Sequence, residues 1–287
     1  MAPPHPHSSR LARGLRLALH SNLFVAVGVA SLGWWVATTQ GGSAKPSVLT
    51  TLFFGTLLIY NLDHLRDDRQ RAAMDPHARP RLAGGRRLGI LGIATVGLTV
   101  SLVYGGTSVL LMSLPAGLVG LFYGARFHSG GRRVKDLPGA KAWIVALAVS
   151  EAVLTLPLYA AEVPPKPHHV GAGVFLLTLT AINAHCFDLR DLAVDARSGA
   201  ATWATRLGGG RAHSRLRLFT GCAAVGSVGL AMTGWLEWSA AATLLVAWTT
   251  LWWIRPGAPR ERFGVVVDGW LLLPAGMTVI ADAIRAI

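Results

Sequence analysis

Nine apolar stretches, each close to the length needed to cross a bilayer, constrain this chain more than any other feature. A hydrocarbon core asks for about 20 consecutive apolar residues in a helix. Such stretches run over residues 18–38, 46–63, 88–105, 107–125, 138–160, 169–187, 214–233, 236–254 and 264–283. Charged residues make up 14% of the chain and hydrophobic residues 52%, whereas a soluble domain carries about a quarter charged residues. The expected fold class is an all-α integral membrane protein with about nine transmembrane helices. Residues 1–17 read as a basic tail and residues 18–287 as a single transmembrane domain. Arg10, Arg13 and Arg16 would suit a signal-peptide n-region, but the apolar stretch after them is long and lacks a small-residue cleavage site. It is read as a retained first span.

The basic residues set the orientation. Of 27 Lys and Arg, all but Lys45, Lys166 and Arg285 fall in the tail or around the connections after the second, fourth, sixth and eighth spans. Loops on the cytoplasmic side carry the excess of Lys and Arg, so the N-terminus is expected inside, and the long inner loops place the working surface at the cytoplasmic face. The expected location is a bacterial inner membrane. The net charge of +13 then follows from topology and attraction to anionic headgroups. Nucleic acid as a partner is excluded, because a soluble scaffold with groove-reading elements is not visible. Two cysteines, Cys186 and Cys222, give no disulfide framework. His185 and Cys186 lack the further ligands that a zinc site needs. The tryptophans read mostly as interface anchors.

Acids punctuate this apolar pattern at two places. Asp63 and Asp67 follow the second span, and Asp188, Asp191 and Asp195 follow the sixth. Carboxylates at the ends of membrane helices mark a functional site by default. Residues three and four apart share a helix face, so each cluster would present its acids together. Two such faces could hold Mg²⁺, a cation that takes oxygen ligands and bridges to phosphates. A solvated helix end paired with Arg66 and Arg69 explains Asp63 and Asp67 about as well. For the second cluster the metal reading is favoured. Glu151 and Asp268 lie within spans five and nine. Hydrogen bonding between helices is preferred for both over a cavity role, and Arg86 and Arg87 read as topology signals.

The segment 187–208 carries D-x-x-D-x-x-x-D from Asp188, then G-x-x-T at Gly199 and Thr202, then Arg206, Leu207 and Gly208. It resembles the second aspartate-rich motif of the UbiA prenyltransferase superfamily. Arg79 to Gly84 is similar to that family's R-P-L-x-x-G loop. Tyr123, Arg133, Lys135 and Lys141 are similar to its Tyr-then-basic loop. The first motif departs from the family's N-x-x-x-D-x-x-x-D. Ile59 stands where Asn is usual, and Asn61 comes two residues later, about 200° around a helix of ~100° per residue.

The resemblance implies a UbiA-like helix bundle with a cytoplasm-facing central cavity, which transfers a prenyl group from a prenyl diphosphate to an apolar or aromatic acceptor, with Mg²⁺ as cofactor. It implies Asp63 and Asp67 on one ion and Asp191 and Asp195 on another, with Asp188 assisting. Arg79, Arg126, Lys135 and Lys141 would bind the diphosphate. Tyr123, Asp191 and Lys135 would be the catalytic group, while Gly199 and Thr202 shape the covering loop. Two alternatives stay open: a membrane terpene cyclase on the same scaffold, and a non-catalytic homologue that binds or transports lipid.

Overall fold

The computed structural model describes residues 10–74, 82, 84–123 and 139–287, and every regular element among them is helical. The helices are α1 (Arg10–His20), α2 (Leu23–Thr39), α3 (Pro46–Met74), α4 (Gly84–Tyr123), α5 (Ala140–Ala160) and α6 (Pro167–Arg190). After them come α7 (Leu192–Ser198), α8 (Trp203–Leu207), α9 (Gly209–Met232), α10 (Trp238–Thr250), α11 (Arg260–Gly269) and α12 (Leu273–Arg285). A single 3₁₀ turn, Trp270–Leu272, joins the last two. Among the described residues five stretches are long and apolar enough to cross a membrane: Pro46–Arg69, Gly84–Tyr123, Ala140–Ala160, Pro167–Arg190 and Arg260–Arg285. Many large apolar side chains point outward, among them Ile93, Val96, Val103, Val170, Val174, Leu218 and Val225. Such a surface suits lipid, and helices are the elements that satisfy their own backbone in it.

Helix direction follows from pairs of contacts at the two ends. At one end, Asn22 at the start of α2 lies 3.5 Å from His64 of α3, and His213 at the start of α9 lies 2.9 Å from the Leu251 carbonyl after α10. At the other end, His169 at the start of α6 lies 3.3 Å from the Gln40 carbonyl after α2. There too the Ser43 amide donates to the Pro157 carbonyl of α5 over 2.8 Å. The chain thus runs back and forth. The central helix is α2, which packs on α3, α5, α11 and α12. Its Trp35 is fully buried, 5.2 Å edge-on to Phe175 of α6, and donates to Ser239 Oγ over 3.0 Å. A helix that is apolar all round, as α2 is, belongs inside a bundle.

Three boundaries differ from the sequence reading. The first apolar stretch starts at Leu23 rather than residue 18, because Asn22 adopts a left-handed conformation (φ 61°) that separates α1 from α2. The third and fourth stretches form one 40-residue element, α4, broken only at Gly106 (φ 73°, ψ −173°). The break reverses the chain, since Arg87 near its start and Leu121 near its end both reach the Arg66–Asp68 region of α3. Only glycine occupies that backbone region readily. The helix carrying Asp63 and Asp67 does not stop with its apolar stretch but continues to Met74.

Close approach of α6 to the α9–α10 turn depends on Gly171, where a Cβ would collide with the Trp235 carbonyl oxygen. Backbone cannot yield as a side-chain tip can. Gly171→Ala is therefore expected to destabilise the fold by about 1–3 kcal/mol, read as a lower thermal midpoint of the detergent-solubilised protein.

Candidate functional site: an acid-rimmed cavity

The helices enclose a cavity of ≈ 680 Å³. Its body is apolar, with Val29, Leu52, Leu98, Leu102, Val149 and Leu156 among the walls. Its rim is charged. Asp63 and Asp67 of α3 line it from one side, and Asp188, Asp191 and Asp195 line it from the other. Both sequence clusters thus open on one space. Tyr123, at the end of α4, lies within electrostatic reach of Asp63, Asp67 and Asp188 and lines the same rim.

The second cluster is not one continuous helix, as the spacing suggested. The chain breaks at Asp191 (φ −95°, ψ 7°), which ends α6 and begins α7. All three acids still face the cavity. Lys141, in the first turn of α5, sits between two of them, with Nζ 3.0 Å from Asp188 Oδ1 and 3.2 Å from Asp195 Oδ2. Burial pushes the Asp195 carboxyl above its ordinary range, and the Lys141 ammonium opposes that shift. Asp191 is held by Arg190, 2.7 Å from Nη2 to Oδ2, and by Arg260 at the start of α11. Such pairing is what allows carboxylates to sit among apolar helices.

The loop around this half is shaped by two of the residues singled out in the motif. Gly199 (φ 72°) ends α7 in a left-handed conformation, and the Thr202 hydroxyl accepts from the Thr205 amide to cap α8. The Gly139 amide donates to the Ala201 carbonyl over 3.0 Å, tying the loop to the start of α5, and so to Lys141. His185 stacks edge-on between Trp143 and Trp203, and its Nδ1 lies 3.9 Å from Asp188 Oδ2.

The irregular first motif has a structural account. Ile59 lines the cavity, where it packs on Gly120 of α4. Asn61 points elsewhere: it is fully buried, donates to the carbonyls of Ser21 and Leu57 at 2.8 Å each, and lies 3.5 Å from Arg87. Arg87 is also fully buried and pairs with Asp68 at 3.4 Å. It is a structural residue, not only a topology signal. Asp68 turns to that pair and is not part of the cavity wall.

Of the sequence-derived site residues, Asp63, Asp67, Tyr123, Lys141, Asp188, Asp191 and Asp195 meet at the cavity. Arg79, Arg126 and Lys135 lie outside the described residues. Glu151 is not in the cavity wall. It accepts from Thr155 of its own helix over 3.2 Å rather than bridging helices. Asp268 does line the cavity, and it is also bonded to Asn183 of α6. Tyr60, His64, Asn183 and Arg260 were not singled out, and all four line the cavity. For Tyr60 and Asn183 a signal existed, since Tyr60 precedes Asp63 by one turn and Asn183 is a polar residue inside an apolar helix.

Among the described residues no three His, Cys, Asp or Glu side chains form a ready-made metal cage. The donor set nevertheless fits Mg²⁺, which is held by one or two carboxylates together with waters and substrate phosphates rather than by all-protein cages.

No family model and no curated protein matches the sequence. Solved structures do match. A UbiA homologue from Archaeoglobus fulgidus superposes with a TM-score of 0.62 at 15% identity, covering 94% of this chain and 99% of that one. A UbiA homologue from the same organism bound to Cd²⁺ gives 0.59 at 15% identity, covering 91% and 98%. A structure of digeranylgeranylglyceryl phosphate synthase gives 0.54 at 12% identity, covering 94% and 96%.

The Asn61 network is separate from the cavity, which makes it testable by stability alone. Asn61→Leu strips hydrogen bonds from two backbone carbonyls and from Arg87, and is expected to cost about 1–3 kcal/mol. Thermal unfolding in detergent reads it. With alignments spanning nearly the whole of both chains, this polypeptide has the UbiA fold.

Proposed function

We propose that the protein is a UbiA-type membrane prenyltransferase, which moves a prenyl group from a prenyl diphosphate to an apolar or aromatic acceptor with the help of Mg²⁺. One observation carries the reading: acids from α3 and from the α6–α7 junction rim one cavity whose interior is apolar. A prenyl diphosphate has the same division, a dianionic-to-trianionic head on a hydrocarbon tail. The tail gains by leaving water for the apolar interior, at about 25 cal/mol per Å² buried. The head meets the rim.

Asp63 and Asp67 on one side, and Asp188, Asp191 and Asp195 on the other, are the residues to hold Mg²⁺. A metal held by them would supply Lewis acidity toward the diphosphate oxygens. Lys141 and Arg260 stand at the same rim and offer fixed positive charge to the phosphate oxygens, an electrostatic arrangement that favours the transition state. Arg79, Arg126 and Lys135 are proposed from the motif resemblance to complete that set. Tyr123, at the same rim, is proposed from the motif resemblance to face the reacting carbon, and the apolar walls would keep water from the allylic cation. A UbiA homologue binding Cd²⁺ and a prenyl-glyceryl-phosphate synthase among the structural neighbours agree with this reading. We place the rim at the cytoplasmic face, with nine membrane crossings, because the basic residues gather around the connections at that end.

The test is pyrophosphate release by purified protein supplied with geranyl, farnesyl or geranylgeranyl diphosphate. Release is expected to require Mg²⁺ and to stop on chelation. Asp191→Asn is expected to lower turnover at least about 100-fold while leaving the thermal midpoint and elution volume as in the parent. No release from any of the donors would overturn the reading. Cyclic hydrocarbon or terpene alcohol formed without acceptor would point instead to intramolecular capture of the cation.

A further inference from the structure

Beneath the rim lies a second polar group that the proposed transfer leaves without a task. Asp268 of α11 is eight residues along its helix from Arg260, and Asn183 of α6 is eight residues before Asp191. At about 1.5 Å per residue, both sit about 12 Å deeper than the rim contact between Arg260 and Asp191. They meet at that level: Asn183 Nδ2 donates to the Val267 carbonyl at 3.1 Å and to Asp268 Oδ1 at 3.3 Å. Asp268 is 8% exposed and Asn183 6%, and both line the cavity. Tyr60 of α3 completes the group from across the space, within electrostatic reach of Asp268 below and Asp63 above.

The bonding of this group is incomplete. Asn183 occupies Oδ1 of Asp268, while Oδ2 accepts no hydrogen bond from any described residue. A carboxyl with a spare acceptor inside an apolar space is costly unless something donates to it. Glu151, by contrast, has no access to the cavity.

We propose that Asp268, held by Asn183 and faced by Tyr60, is an acceptor subsite. It receives a hydroxyl-bearing acceptor, a phenol or a lipid alcohol, below the donor's diphosphate and takes the proton that the acceptor loses. This rests on the transferase reading above and narrows its acceptor class. A pure hydrocarbon acceptor would leave Oδ2 unsatisfied, whereas an O–H group on an apolar body fills both the hydrogen bond and the walls around it. In the transfer, the donor's C1–O bond breaks and its electron pair leaves with pyrophosphate. The acceptor's oxygen lone pair, or a ring π pair beside the hydroxyl, forms the new bond to C1. The displaced proton passes to Asp268 and reaches bulk water when the product leaves. The balance is donor plus acceptor giving prenylated acceptor, pyrophosphate and one proton.

Two measurements on the full chain test this. The first is binding of 4-hydroxybenzoate, 1,4-dihydroxy-2-naphthoate and a 1-O-alkylglycerol to detergent-solubilised protein without donor or metal. At least one probe is expected to bind, and Asp268→Asn is expected to weaken it by at least about tenfold, with Asp268→Glu recovering part of the loss. The second follows products from geranylgeranyl diphosphate with Mg²⁺ and the bound probe. Asp268→Asn is expected to raise the ratio of prenyl alcohol to prenylated acceptor at least about tenfold, as water captures a cation that the acceptor no longer meets. A folded Asp268→Asn protein with unchanged probe affinity and product ratio, or a parent protein that binds none of the probes, would overturn the subsite. Probe binding that depends on Asp268 in a protein releasing no pyrophosphate would sink the transferase reading and leave the subsite standing.

Discussion

Charge concentrated at the boundary of an apolar interior is the constraint on which this structure turns. Five carboxylates share one rim, and desolvating any of them alone would cost several kcal/mol. The fold meets that cost with cations on fixed stems. Lys141 is delivered by the first turn of α5, Arg190 by the last turn of α6, and Arg260 by the first turn of α11. Each of these elements is anchored by buried packing further in, so the cations are placed by helices and not by free loops. The same pairing holds Asp188, Asp191 and Asp195 together and makes that half of the rim responsive to anything that competes for either partner.

Below the rim the logic inverts. The cavity interior offers few polar atoms, so the ones that exist carry information. Ile59 shows it at the first motif: an apolar side chain takes a wall position, while Asn61, two residues on, faces the opposite side of α3 and joins the α1–α2 turn, α3 and α4 through Ser21, Leu57 and Arg87. One helix therefore serves two unrelated purposes on two faces. Substitution on one face should leave the other intact, since hydrogen-bond networks of this kind stay local.

Much of this was legible in the chain itself. Composition and apolar length gave the helical membrane class, because a hydrocarbon solvent leaves so few backbone solutions. The spacing of Asp188, Asp191 and Asp195, with Gly199 and Thr202 after them, pointed to the second half of the rim. The helix break at Asp191 was not visible, because three-and-four spacing reads the same through a mild bend. The partners of the acids were hidden too. Lys141 and Arg260 lie 54 and 69 residues from the carboxylates they touch, and no local pattern encodes such pairings. Arg87 read as a topology signal because charge counts ignore burial, and Asn183 passed unnoticed because a single amide in an apolar run has no periodicity.

Gly106 turns α4 back on itself with a single residue, and that economy has an evolutionary side. A reversal without a connecting segment gives insertions, modifications and docking partners nothing to grow on. Whatever diversification this architecture undergoes at that edge must come by repacking side chains. At the acid-bearing end, by contrast, residues 251–259 connect α10 to α11, so a change of chain length there would be borne next to the acids.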